Sequence, residues 1–115
     1  MHELSITKKI IEMIEKECSK NNIKKPDKIH AEIGELTTYK KEPIKYYFDI
    51  LKKENHLLKK ADIDMKIING KIKCKDCKKE NHIKEKYLIL CPECGSGNID
   101  ILDGEDIRLK QIEGE

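Results

Sequence analysis

From Ile6 onward the apolar residues recur at Ile10, Ile14 and Cys18, with Ile11 and Met13 beside them, which is the spacing of one helical face. The pattern predicts an amphipathic helix from residue 5 to about residue 20, with Ser5 as its candidate N-cap and Asn21-Asn22 near its end. Ile29, Ala31 and Ile33 then alternate with His30 and Glu32, the period of a half-buried strand, until Gly34 breaks it. Pro43 suits the first position of a second helix, whose apolar residues Ile44, Tyr47, Phe48 and Leu51 fall at i, i+3, i+4 and i+7. A second strand is expected at Ile63, Met65 and Ile67. Between Gly70 and about Asp100 the periodicity disappears and four cysteines take its place. It resumes at Ile107, Leu109 and Ile112 as a last strand.

The resulting order is helix, strand, helix, strand, cysteine module, strand. A module lying between two strands of one sheet is most simply an insertion, so the fold class expected is α+β: a small three-stranded sheet with two helices, plus an inserted zinc-ribbon-like module. Residues 1–70 and 101–115 would form one α/β domain and residues 71–100 the inserted metal-binding one. No internal repeat is visible apart from the two cysteine pairs.

Composition narrows the classes of function. The 115 residues suffice for one ordinary domain, or for a small one with a metal-held module. With 4% aromatic residues, no Trp and one Phe, the core must be aliphatic. The 24 basic and 22 acidic residues are interleaved and leave a formal net charge of +2, which argues against a strong grip on nucleic acid. Four thiolates on one divalent ion would cancel even that excess. No apolar stretch approaches the ~20 residues that span a bilayer. The opening residues have neither the basic nor the apolar region of a secretory signal. A cytoplasmic, reducing setting is expected, where paired cysteines serve as metal ligands rather than disulfides.

The pairs are CKDC, Cys74 and Cys77, and CPEC, Cys91 and Cys94, with 13 residues between Cys77 and Cys91. Each CxxC turns two sulfurs toward one point, and two such turns complete a tetrahedral S₄ site for zinc first and iron second. Thirteen residues are enough for a small hairpin to reverse the chain between them. With all four ligands from protein, no position is left for catalytic water, so the ion holds the module together. A redox dithiol does not need the second pair. Cys18 continues the apolar helical stripe and reads as a small buried hydrophobe.

Of the four histidines, His30, His56 and His82 read as surface residues. His2 differs because a free amine precedes it. Its bulk disfavours removal of Met1, whose α-amine has an unperturbed pKa of ~7.7 to 8.0. That amine, the backbone nitrogen of His2 and its imidazole can close fused chelate rings, and one further nitrogen or oxygen completes the tetragonal environment favoured by Ni(II) or Cu(II).

The terminal MHE, the strand ending Ile33-Gly34-Glu35-Leu36, the CxxC with CPxCGS over Cys91 to Ser96, and the closing strand after DGEDI together resemble the HypA family, nickel metallochaperones of [NiFe]-hydrogenase maturation. The resemblance covers essentially the whole chain. It implies Ni(II) bound by the Met1 amine, by His2 through imidazole and backbone, and by the Glu3 backbone. It further implies a structural Zn(II) on Cys74, Cys77, Cys91 and Cys94. Delivery to the hydrogenase large subunit in concert with the GTPase HypB follows from it too, with urease maturation served in some organisms. CKDCK lacks the glycine that often follows the first pair, and TTYKK carries lysines where some relatives offer an acid.

The leading expectation is therefore a nickel carrier, monomeric or weakly dimeric, and not an enzyme. No nucleophile has a plausible base, and no glycine-rich phosphate loop is present. The alternative is a zinc-ribbon binding module for nucleic acid or protein. The segment from Lys71 to Lys86 is rich in lysine, but Asp76, Glu80 and Glu85 interrupt it and it holds no aromatic residue.

Overall fold

The computed structural model describes residues 2–83 and 88–115, without the side chain of His2. Helix α1 spans His2–Lys20, strand β1 Pro26–Gly34, helix α2 Lys41–Leu51 with a 3₁₀ turn at Lys52–Glu54, and β2 Asp62–Ile68. Three short strands follow, β3 at Lys71–Cys74, β4 at Glu80–His82 and β5 at Ile99–Asp103, and β6 at Ile107–Gly114 closes the order. Two three-stranded sheets result, ordered β2-β1-β6 and β4-β3-β5. The architecture is the expected α+β one: two helices with a three-stranded sheet, and a zinc-ribbon-like cysteine module between β2 and β6 in the chain.

Helix α1 begins before Ser5, so Ser5 is a helical residue and not the N-cap. The reason lies in burial that already begins in the first turn, ahead of Ile6. Leu4 is half-buried and Thr7 fully buried, ahead of Ile10 and Ile14 at 0% exposure and Cys18 at 1%. Thr7 can enter an apolar stripe because its hydroxyl donates to the Glu3 carbonyl one turn back, leaving no unpaired donor. Glu3, acidic in the first turn, also suits the positive end of the helix dipole. At the other end Asn22 adopts a left-handed φ of 56° and the Ile23 amide donates to the Cys18 carbonyl at 2.9 Å, a Schellman closure.

Helix α2 likewise starts two residues earlier than Pro43. Proline is tolerated there because the first four amides of a helix have no intrahelical acceptor, so a missing N–H at the third position forfeits nothing. Ile44 and Phe48 are buried on its inner face. Beyond it the Asn55 side-chain oxygen accepts from the amides of Leu57 (3.0 Å) and Leu58 (3.1 Å), and this Asx turn seats Leu58 at 0% exposure. On β1, Ile29, Ala31 and Ile33 are buried, whereas His30 and Glu32 on the opposite face pair with acids and bases. His30 Nε2 lies 2.9 Å from Glu113, and Arg108 Nε donates to Glu32 at 2.9 Å.

The chain divides into two compact units, one of Met1–Glu32, Tyr39–Lys66 and Arg108–Glu115, the other of Ile33–Thr38 and Ile67–Ile107. In the second, β3 pairs antiparallel with β4 (Lys71 opposite His82) and with β5 (Ile72 opposite Ile101, Cys74 opposite Ile99). β5 runs across residue 101 and belongs to this sheet. Within the same unit the Glu35 amide donates to the Ile68 carbonyl and the Leu36 amide to the Gly104 carbonyl, both at 2.9 Å. Gly34 is required here: a Cβ on it would stand 2.1 Å from the Gly104 carbonyl oxygen, a backbone atom that cannot turn aside.

Candidate metal centre

The four cysteines converge. Cys74 ends β3 and Cys77 closes the turn after it, and Cys91 and Cys94 bracket a second turn. Their sulfurs all lie within 4.8 Å of one another. Cys74 and Cys94 sulfurs are 3.6 Å apart, as are those of Cys77 and Cys91. These pairs are opposite edges of one tetrahedron. Four sulfurs ~2.3 Å from a common centre would be ~3.8 Å apart, so the cluster already has the dimensions of a tetrahedral thiolate site.

Local backbone geometry explains the convergence. In the first turn the Cys77 amide donates to the Cys74 sulfur at 3.4 Å and the Lys78 amide to the Cys74 carbonyl at 3.0 Å, with Lys78 at a left-handed φ of 67°. The second turn repeats the form: the Gly95 amide donates to the Cys91 carbonyl at 2.8 Å, with Gly95 at φ 76°. Glycine adopts that conformation without cost, which accounts for its place after CPEC.

The electrostatics call for a cation. The Cys77 N–H aimed at the Cys74 sulfur, helped by that of Asp76, lowers the Cys74 thiol to about 7 against the opposing effect of burial. Cys94 moves the other way. The Ser96 amide favours its thiolate, but the neighbouring Cys74 sulfur, partial loss of hydration and the other two thiols together push it up to about 12. Cys77 is also raised, since burial and the Cys91 and Cys74 sulfurs outweigh the Lys79 amide. Sulfurs this close cannot all ionise beside one another, and a divalent ion at their centre removes that conflict. The donor set therefore fits a metal ion bound by four thiolates, with no position open.

The two cysteine turns are also cross-linked away from the sulfurs. The Asp76 carboxylate accepts from the Ser96 hydroxyl and, at 3.4 Å, from the Asn98 side-chain amide. The Asn98 backbone N–H in turn donates to the Ser96 hydroxyl at 3.0 Å. Sequence reading passes over these residues, because a serine, an asparagine and an aspartate in a polar module look like ordinary surface. The one available signal is Ser-Gly-Asn after Gly95, a turn sequence with side chains able to bond their own backbone.

At the N-terminus, Met1 and the His2 side chain lie outside the described residues. Glu3 stands half-buried in the first turn of α1, its carbonyl engaged by Thr7. His56 and His82 are exposed. Cys18 is buried in the helical stripe, and burial followed by the Glu17 charge raises its thiol. Among the described residues, no helix is long and apolar enough to cross a membrane.

Comparison with known proteins agrees with this arrangement. Residues 1–114 match the family described as HypA, hydrogenase/urease nickel incorporation, metallochaperone. The hydrogenase maturation factor HypA of Aquifex aeolicus is 39% identical over 115 residues, covering 100% of this chain and 98% of its own. That of Caldanaerobacter subterraneus is 35% identical, with 100% of both chains covered. Among solved structures, the solution structure of the Ni metallochaperone HypA from Helicobacter pylori superposes with a TM-score of 0.76 at 26% identity, over 97% of this chain and 96% of that one. A family of this description carries a metal ion rather than transforming a substrate. The chain belongs to the HypA family of nickel-incorporation metallochaperones.

Proposed function

We propose that this chain binds Ni(II) at its terminal Met1, His2 and Glu3 and delivers it during [NiFe]-hydrogenase maturation, with Zn(II) held structurally by Cys74, Cys77, Cys91 and Cys94. The observation that carries the reading is the family match over residues 1–114, which takes in the terminal Met-His-Glu together with the four-cysteine centre. The domain of residues 1–70 and 101–115 would carry the nickel, and the inserted segment 71–100 the zinc. The carrier works in the cytoplasm as a monomer or weak homodimer, with the GTPase HypB and the hydrogenase large subunit as partners. It uses neither nucleic acid nor membrane.

Helical geometry supports such a chelator. The first amides of an α-helix lack intrahelical acceptors, so the backbone nitrogens of His2 and Glu3 can give up their protons without breaking a helical bond. A helical ψ of about −42° holds consecutive backbone nitrogens on the same side of the Cα–C bond, the sense a five-membered chelate ring needs. An extended ψ of about +135° would turn them apart. Each nitrogen gives up a proton on binding, so nickel affinity falls as pH drops. Copper binds at least as tightly by the Irving–Williams order, so selectivity comes from supply and partners.

Nickel titration of the native-terminus protein tests the reading. Replacing His2 with Ala, or extending the N-terminus with a tag, abolishes nickel binding and leaves the zinc content at one per chain. Equal nickel affinity in the tagged and native proteins would rule the site out.

A further inference from the structure

The four cysteines are unequal in exposure. Cys74 and Cys91 are 0% and 2% exposed and Cys77 is half-buried, whereas Cys94 is open to solvent. An ion held by four thiolates is lost stepwise, starting with the ligand that water can reach. The Cys94 sulfur leaves with the electron pair of its metal bond and takes a proton from solvent, and a water molecule fills the vacated position. A competing chelator then displaces that water and the remaining sulfurs. For Cys94 to leave, its turn must swing away from the first one.

Asp76 opposes that movement. It lies between the two cysteines of the first turn, next to the Cys77 amide that donates to the Cys74 sulfur at 3.4 Å. Its carboxylate reaches across to Ser96 and Asn98 in the second turn. Ser96 lies two residues beyond Cys94, and its carbonyl accepts from the Cys91 amide at 2.9 Å. The Lys75 amide donates to the Asn98 carbonyl at 2.9 Å, which adds a parallel backbone link. One carboxylate thus joins the turn that carries the inner cysteine Cys74 to the turn that carries the outer one, Cys94. We infer that Asp76 is a positioning residue for the metal centre: through Ser96 and Asn98 it latches the Cys94 turn shut and sets the rate at which the ion escapes.

The inference rests on the four-cysteine metal reading, and the experiment separates the two. The full chain is loaded with one Zn²⁺ and release into excess chromogenic chelator is followed for the native protein, Asp76→Ala, Ser96→Ala, their double variant and Asp76→Asn. Asp76→Ala and Ser96→Ala each accelerate release about tenfold, the low end for residues that orient metal ligands. The double variant is no faster than the faster single one, because both remove the same link. Asp76→Asn, which keeps one acceptor oxygen, lies between. Asp100→Asn removes a carboxylate of the same unit that pairs with Lys75 at 3.3 Å, and leaves the rate unchanged.

Alkylation of the zinc-loaded protein, mapped by mass spectrometry, gives a second readout. Cys94 is modified first and its modification accelerates in Asp76→Ala, whereas general destabilisation would expose all four cysteines together. Release from Asp76→Ala at the native rate, independent multiplication of the Asp76 and Ser96 effects, or alkylation of all four cysteines at once would overturn the latch. Failure of the native chain to hold Zn²⁺ in a Cys94-dependent way would overturn the metal reading itself. If Asp76→Ala does not fold, Ser96→Ala and Asp76→Asn decide the outcome.

Discussion

Removing the structural ion should unfold one unit of the chain and spare the other, and the distribution of buried side chains sets how sharply. The unit built on α1 and α2 buries Ile10, Ile14, Ile29, Ile44, Phe48 and Leu58 at 0% exposure. Among its described residues the cysteine unit matches these with Ile33 at 0% and Ile72 at 1%, and its other deeply buried apolar side chains are the ligands Cys74 and Cys91. At ~1.5–3 kcal/mol for each large aliphatic side chain, the two isoleucines contribute roughly 3–6 kcal/mol. A structural zinc supplies about 10–16 kcal/mol. The ion therefore outweighs the aliphatic burial of its unit, and what remains without it cannot hold β3, β4 and β5 together against chain entropy. The assay is amide hydrogen exchange before and after excess chelator. Protection at Ile72 and Ile101, which face each other across β3 and β5, should fall at least a thousandfold, about 4 kcal/mol. Amides around Ile10, Ile14 and Ile29 should keep theirs. Retained protection in β3 and β5 after the metal is gone would show that the module folds on its own packing and refute the reasoning.

Three further outcomes follow from single contacts. Gly34→Ala places a methyl 2.1 Å from the Gly104 oxygen and 2.8 Å from the Glu105 nitrogen, all backbone, and should cost ~2 kcal/mol or more in urea unfolding. Phe48→Ala empties the largest fully buried side-chain site and should cost about 3–5 kcal/mol, whereas Tyr46→Ala, at 63% exposure on the same helix, should stay within about 0.5 kcal/mol. Hydrogen bonding from Lys45, against slight burial and with help from the Ile63 amide, holds the Asp62 carboxyl below the usual carboxylate range. Its contribution is present above the unfolded value of ~3.9 and is lost as pH falls through the lower folded value. Asp62→Asn should therefore flatten the decline in stability below about pH 4, by less than ~1 kcal/mol because Asp62 is 59% exposed.

The helices and β1 were legible because isoleucine spacing reports burial there directly, whereas on β2 Ile67, which alternates with Ile63 and Met65, is 40% exposed. Ile10, Ile14, Ile29, Ile33, Ile44 and Phe48 all lie in the core where the periodicity puts them. The ligand cysteines were legible for a different reason, since CxxC spacing is itself the geometry of a metal turn. Strands β3 to β5 were not: β3 is Lys-Ile-Lys-Cys, four residues of which only Ile72 and Cys74 are buried, too short for a period to emerge. The role of Asp76 was hidden for a related reason. A carboxylate inside CKDC reads as solvated surface until Ser96, 20 positions along the chain, is known to donate to it. Gly34 belongs with these, for what excludes a side chain there is the carbonyl of Gly104.

The early start of α1 bears on function. A start at Ser5 would leave Met1, His2 and Glu3 as a loose strand, and every nickel ion bound would have to order three residues at ~1–2 kcal/mol of backbone entropy each. A helix that includes His2 and Glu3 pays that cost in folding, since Leu4 and Thr7 pack the same turn whether or not nickel is present. The Thr7 hydroxyl on the Glu3 carbonyl fixes the peptide that follows the last backbone nitrogen of the proposed chelate. The site proposed for nickel would then sit on a helix end that the core already holds, with the His2 and Glu3 backbone nitrogens unclaimed by intrahelical bonds. A polar threonine in an apolar stripe concealed this from the periodicity, although its buried hydroxyl is bonded to the Glu3 carbonyl within the first turns of the helix.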